Sequence, residues 1–402
     1  MRNIESQLFF YYNRNGIGIQ GILSKFGINQ ITEASMDKRK SRRNPWTIVL
    51  IILVVCGLLA YGGGALLKSI FSGSALGETR AVNIANLQDL QVTANGFVYY
   101  DGSTVSSLNS SGKVNWSYLV GTNAGFRASD HGVAAWSGKT ITLIDGNSGA
   151  TSFNGTMSED VLSAFIGDKY TAILIGEESS STIVLMENGG KQINSIEMTD
   201  ISVVDYGFFS HESLLWVMLC DSNGTVPKCS IQIYRPGKEI VGSISDNEQL
   251  IYAVMFQSNR VCVTGDTYFK VFDYAGTENS AKRELVYGWY LNSFDEGSSD
   301  PLMVYVNDAQ CKGESDIRDV RLMRSDLDRI IRMPFGCRSV VAVGSTVYGF
   351  SSDGHLMIAP AYTGAPQAYR LNISIDQVYG VTRDGVAVVR SGSTVYLVNL
   401  VK

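Results

Sequence analysis

The chain has 402 residues and a net charge of −5, with 33 Lys+Arg against 38 Asp+Glu. That charge is uneven: residues 1–77 hold nine basic and three acidic side chains, which leaves residues 78–402 strongly acidic. An acidic body excludes the basic face on which nucleic-acid affinity rests. The only histidines, His131, His211 and His355, are too scattered for a histidine-rich metal centre.

Residues 1–35 differ in character from the rest, and a second start-like stretch comes at Met36-Asp37-Lys38-Arg39-Lys40-Ser41-Arg42-Arg43. The expectation is that translation begins at Met36; the competing reading keeps residues 1–45 as a cytoplasmic tail. Trp46 to Leu67 is an uncharged run of 22 residues, long enough as a helix to span a hydrocarbon core of about 30 Å. Five basic residues (Lys38, Arg39, Lys40, Arg42, Arg43) precede it and only Lys68 closely follows. The positive-inside bias puts the N-terminus in the cytoplasm and the body outside. The run exceeds a cleavable signal's apolar core of roughly 7–15 residues. Cys56 lies within it. A short linker occupies residues 68–79.

From Arg80 onward the periodicity is that of strands. Gly96-Phe-Val-Tyr-Tyr, Asp101-Gly102, Thr104-Val-Ser-Ser-Leu, Ser110-Ser111-Gly112 and Lys113-Val-Asn-Trp116 read as strand, turn, strand, turn, strand. Asp-Gly between apolar runs predicts a two-residue hairpin turn, because glycine accepts positive φ without steric cost. Comparable units cover about 124–157, 160–199, 201–244, 248–293, 300–334, 338–373 and 376–400. A period near 40 residues predicts an all-β propeller of four-stranded blades over 80–402, eight in number with seven as the alternative. The last unit has three strands; Arg80-Ala-Val-Asn-Ile-Ala85 is placed to supply its outer one and close the ring. A paired sandwich or β-helix is the competing architecture.

Cys220 and Cys229 flank a turn and can bridge across a hairpin if their Cβ atoms face each other. Cys311 and Cys337 form a second candidate pair, leaving Cys262 over. Both pairings depend on an oxidising compartment, and buried free thiols are the alternative. The alternating charges from Lys312 to Arg332 read as a solvated, self-paired face.

Gly96, Val98, Tyr99, Asp101, Gly102, Leu108, Gly112, Lys113 and Trp116 resemble the quinoprotein-type (PQQ-like) propeller repeat. The resemblance is good over 88–150 and loose beyond 245. It implies that Trp116 docks between neighbouring blades. The layout of tail, membrane helix and propeller resembles an uncharacterised family of Firmicute single-pass membrane proteins. The propeller is also similar to the envelope scaffold BamB.

No adjacent cysteines, calcium-loop pattern or Gly-Xaa-Ser-Xaa-Gly elbow is present in the sequence. No cofactor, metal or catalytic residue is therefore named. The expected function is a non-enzymatic, membrane-anchored, extracytoplasmic module that binds protein or another envelope ligand. A sensor domain, or an enzyme with a loop-borne site, is the alternative.

Overall fold

The computed structural model describes residues 76–400 except 178–179, 210–212, 222–227, 258, 296–297, 308–309 and 311–314. Among the described residues no helix is long and apolar enough to cross a membrane. The tail, the apolar run 46–67 and most of the linker lie outside those residues.

Period-two strands with both faces apolar require cover on both sides. In Gly132–Ser137, Val133 and Ala135 pack one way, while Ala134 and Trp136 pack the other. In Leu215–Asp221, Leu215, Val217 and Leu219 face one neighbour; Trp216 and Met218 face the other. Each such strand is the middle of a four-stranded sheet with a further sheet on either side. The described residues form eight four-stranded antiparallel sheets, and their buried side chains fall into eight clusters, one at each seam between successive sheets. This is an eight-bladed propeller, and the seven-blade alternative is set aside.

Blades 1 to 4 cover residues 89–119, 125–156, 161–199 and 202–246. Blades 5 to 7 cover 251–285, 289–337 and 339–370. Blade 8 takes three strands from 377–399, and its outer strand is Thr79–Val82, paired antiparallel to Thr394–Asn399. The ring therefore closes with the strand the sequence placed there. The fifth and sixth units need correction: Trp289–Phe294 is the inner strand of blade 6, not the tail of blade 5. The blade 5 outer strand is only Glu284–Leu285, too short to mark the boundary in sequence.

The Asp101-Gly102 turn also needs correction. The strands end at Tyr100 and resume at Thr104, so the loop has three residues, with Gly102 at φ +100°. Asp101 Oδ1 accepts bonds from the Ser103 and Thr104 backbone amides at 2.9 and 2.8 Å, which stabilises the longer turn. Gly112, at φ +77°, turns the next connection as expected.

The alternating charges from Ile317 to Arg332 lie on two strands and are self-paired as expected, but several also reach beyond their own blade. Arg321 pairs with Asp328 through two bonds of 2.9 and 2.7 Å and also donates to the Leu285 carbonyl in blade 5. Arg324 and Arg329 donate to the Gly344 and Tyr362 carbonyls of blade 7 at 2.8 and 2.9 Å. Charge here joins three blades.

Candidate functional site

Eight inner strands surround a central channel. Of their residues only Asp89, Arg127 and Asp205 are charged. The channel holds a cavity of about 1090 Å³, lined from all eight blades and including the turns that join inner to second strands. Aromatic side chains contribute to its wall, among them Phe165, Phe208, Tyr252, Phe294 and Tyr379. The inner strands leave backbone groups facing the channel, and side chains from neighbouring blades satisfy some of these. Gln91 mimics a strand edge: its amide nitrogen donates to Phe126 O at 3.0 Å, and its oxygen accepts from Ala128 N at 2.9 Å. Asn292 similarly donates to the Val340 carbonyl at 2.7 Å.

Arg127 spans three blades. Its guanidinium donates to Asp205 at 3.2 Å and lies 4.7 Å from the Phe165 ring centroid and 5.5 Å from that of Tyr206. The stacking orients the cation on aromatic faces. Tyr206 is buried, its hydroxyl 2.7 Å from Ser163 Oγ, and burial pushes its pKa up to about 12.

The mouth is more polar. Asp130, Asp168 and Asp295 stand there with Lys169, Arg383 and His131. Arg383 donates to Asp130 at 3.2 Å, and both are substantially exposed. The Ala94 backbone binds both partners: its amide donates to Asp130 at 3.0 Å, and its carbonyl accepts from the Arg383 amide at 2.8 Å. Blades 8, 1 and 2 are thus tied at the rim. Asp295 likewise accepts from the Gly344 amide at 3.1 Å.

One cluster has the composition of a hydrolytic triad. Ser351 Oγ donates to Asp353, and His355 Nδ1 lies 2.9 Å from the same carboxylate. The hydroxyl faces the carboxylate rather than the imidazole, and His355 Nε2 faces Arg370 at 3.5 Å. The imidazole is therefore not positioned to take the hydroxyl proton, as it would be in a Ser-His-Asp triad. Thr382 donates to Asp384 in a similar arrangement in blade 8, which identifies a turn device. Among the described residues no group of three or more His, Cys, Asp or Glu side chains could hold a metal ion.

The turn residues, the tryptophan and the described cysteines singled out in the sequence lie outside the channel lining. Trp116 is buried, and its Nε1 donates to the Gly146 carbonyl of blade 2 at 3.1 Å. Asp101, Gly102 and Gly112 form turns away from the channel lining. Cys220 and Cys229 stand directly opposite each other on the two middle strands of blade 4, both as free thiols. Cys337 is a fully buried free thiol between blades 6 and 7. Its candidate partner Cys311 lies outside the described residues.

Sequence reading missed Arg127, Asp205 and the Asp130–Arg383 pair. The available signal was positional: Asp130-His131, Asp168-Lys169 and Arg383-Asp384 each follow an inner strand, where turns converge on one end of the channel.

No protein-family model matches the chain, and no curated protein matches it. Solved structures do. The WD40 domain of SCAP from fission yeast is 9% identical with a TM-score of 0.55, covering 80% of this chain and 98% of that one. Saccharomyces cerevisiae Sqt1 is 10% identical with a TM-score of 0.53, covering 79% and 97%. BamB from Moraxella catarrhalis is 12% identical over 81% and 97%, at a TM-score of 0.48 too slight to build on. At these identities the first two likenesses concern the propeller fold alone.

Proposed function

We propose that this chain is a membrane-anchored, extracytoplasmic β-propeller that binds a protein partner at the mouth of its central channel. The observation that carries the reading is the rim itself. Turns from blades across the ring bring acidic, basic and apolar groups onto one end of a closed, rigid scaffold. Propellers commonly present such a rim to other proteins, and loops held by a rigid frame are where binding residues concentrate. The basic tail and the apolar run 46–67 support anchoring with the body outside.

The test is crosslinking in intact cells with the wild-type chain and with a Lys169→Glu/Arg383→Glu variant shown to fold. A partner captured by the wild type and lost in the variant supports the reading. Equal capture by both overturns the assignment to this mouth. Accessibility of C-terminal residues to a membrane-impermeant label tests the topology separately; labelling only after lysis overturns it.

The cavity itself favours a second reading, a receptor for a small ligand. Its volume of about 1090 Å³ slightly exceeds the usual range of small-molecule sites, roughly 300–1,000 Å³, and its wall is largely uncharged with several aromatic side chains.

A further inference from the structure

Cys220 and Cys229 are paired residues of adjacent antiparallel strands, Leu215–Asp221 and Lys228–Tyr234. Directly opposed residues in such a pair have Cα atoms about 4.5–5.5 Å apart and side chains on the same face. That range falls inside the roughly 4.4–6.8 Å window in which a disulfide closes without backbone movement. The two thiols are unequal. Cys220 is only partly buried, whereas Cys229 is buried, with its Sγ 3.7 Å from the Ile251 carbonyl. Burial raises the Cys229 thiol above its ordinary pKa, and the neighbouring Cys220 adds to the rise. Cys262 lies in the seam between blades 5 and 6 and Cys337 in that between blades 6 and 7. Among the described cysteines neither shares the seam of this pair.

We propose that Cys220 and Cys229 are a site of reversible oxidation, with Cys220 as the entry thiol and Cys229 as the resolving one. The oxidant is a low-molecular-mass disulfide. The Cys220 thiolate attacks one sulfur of that disulfide; a mixed disulfide forms and one thiol leaves. The Cys229 thiolate then attacks the Cys220 sulfur and expels the second thiol. Two protein thiols are oxidised, one external disulfide is reduced to two thiols, and the two protein protons end on those leaving groups. Cys229 is also the cross-strand partner of Asp246, the buried ion-pair partner of Lys270. The redox state is therefore felt at the blade 4–5 seam. The chemistry does not depend on the function proposed above.

The experiment treats the purified full chain with oxidised glutathione, removes the excess, blocks remaining thiols with a maleimide under denaturing conditions so that buried thiols react, and reads intact mass and a tryptic map. The expected result is loss of two hydrogens, protection of Cys220 and Cys229 alone, and one crosslinked peptide pair, since Lys228 separates the two by a tryptic site. Cys229→Ser is expected to trap glutathione on Cys220, and Cys220→Ser to take none at Cys229. Full maleimide labelling of both residues in the oxidised wild type overturns the proposal. So does a crosslink to another cysteine, or glutathione trapped on Cys229 in Cys220→Ser. The wild-type map holds even if a variant fails to fold.

Discussion

The indole of Trp116 in blade 1 lies against Gly149 in blade 2, so closely that a Cβ on that glycine would stand 2.5 Å from it. The contact recurs in altered form around the ring. Phe153 of blade 2 fills the same place over Gly190 of blade 3, where a Cβ would stand 2.1 Å away. Val82, on the closing strand, meets Gly112 of blade 1 at 3.2 Å from a built Cβ. Between blades 4 and 5 the outer strand carries glycine instead, and a Cβ on Gly242 would fall 1.8 Å from the Tyr274 carbonyl oxygen. The seam is held by one bulky group against one bare backbone, or by two bare backbones.

Trp116→Ala removes the plug and the bond to Gly146, and is expected to cost about 3–5 kcal/mol. Gly149→Ala introduces the clash and strains a residue at φ +69°, and is expected to destabilise on its own. The double variant is expected to lose somewhat less than the sum, because the indole atoms 2.5 and 3.0 Å from a Cβ at 149 are gone, while the residue 116 Cβ at 2.5 Å and the backbone strain at 149 remain. Denaturant unfolding of the four proteins checks this; additive losses would show that the contact does not couple the blades.

Ring closure rests on four residues, Thr79–Val82. Val82 is buried and pairs with Val395. Val82→Asp places an unpaired charge in that seam and exposes an edge, and is expected to cost more than about 3 kcal/mol and to promote association. Thermal unfolding with light scattering reads both effects. An unchanged midpoint would mean that the strand contributes nothing to the ring.

Lys270 in blade 5 forms a buried ion pair with Asp246 in blade 4 at 2.9 Å, the side chains being 3% and 1% exposed. Glu248 adds a second carboxylate to the same ammonium. Asp246→Asn leaves the buried lysine with Glu248 as its one remaining carboxylate and is expected to cost up to about 3 kcal/mol, whereas Lys270→Met/Asp246→Leu recovers most of the loss. Burial alone would lower the Lys270 pKa, but its bonds to Glu248 and Asp246 outweigh that and raise it above 10.5. This contribution is therefore complete below about pH 10.5 and fades as pH rises through the higher folded value. Stability of wild type and Lys270→Met measured from neutral to strongly alkaline pH is expected to converge.

Asp353 is held down to about 2 by hydrogen bonds from Ser351 and His355. Its ordinary value is 3.8, so its contribution is present above that pH and is lost as pH falls toward about 2. Asp353→Asn lacks the contribution throughout. The stability gap between wild type and variant is expected to narrow between about pH 4 and 2, read by acid titration of unfolding. A gap that stays constant would place the shift elsewhere.

Period-two apolar runs, turn glycines and a period near 40 residues made the propeller and its closing strand legible in the sequence, and the structure decided for eight blades over seven. These are local signals: a strand buried on both faces must be apolar at every position, and a tight turn must accept positive φ. Trp116 was legible as a seam residue because its unit resembles the quinoprotein-type repeat, which implies that role. Phe153 and Val82, which fill similar places, were not, since each is an ordinary apolar residue until the facing glycine is known. Only the tertiary structure united Arg127 with Asp205 and Asp130 with Arg383, pairs separated by 78 and 253 positions. Closing a circle makes neighbours of residues that no periodicity relates. The channel and its rim exist only once the ring is shut.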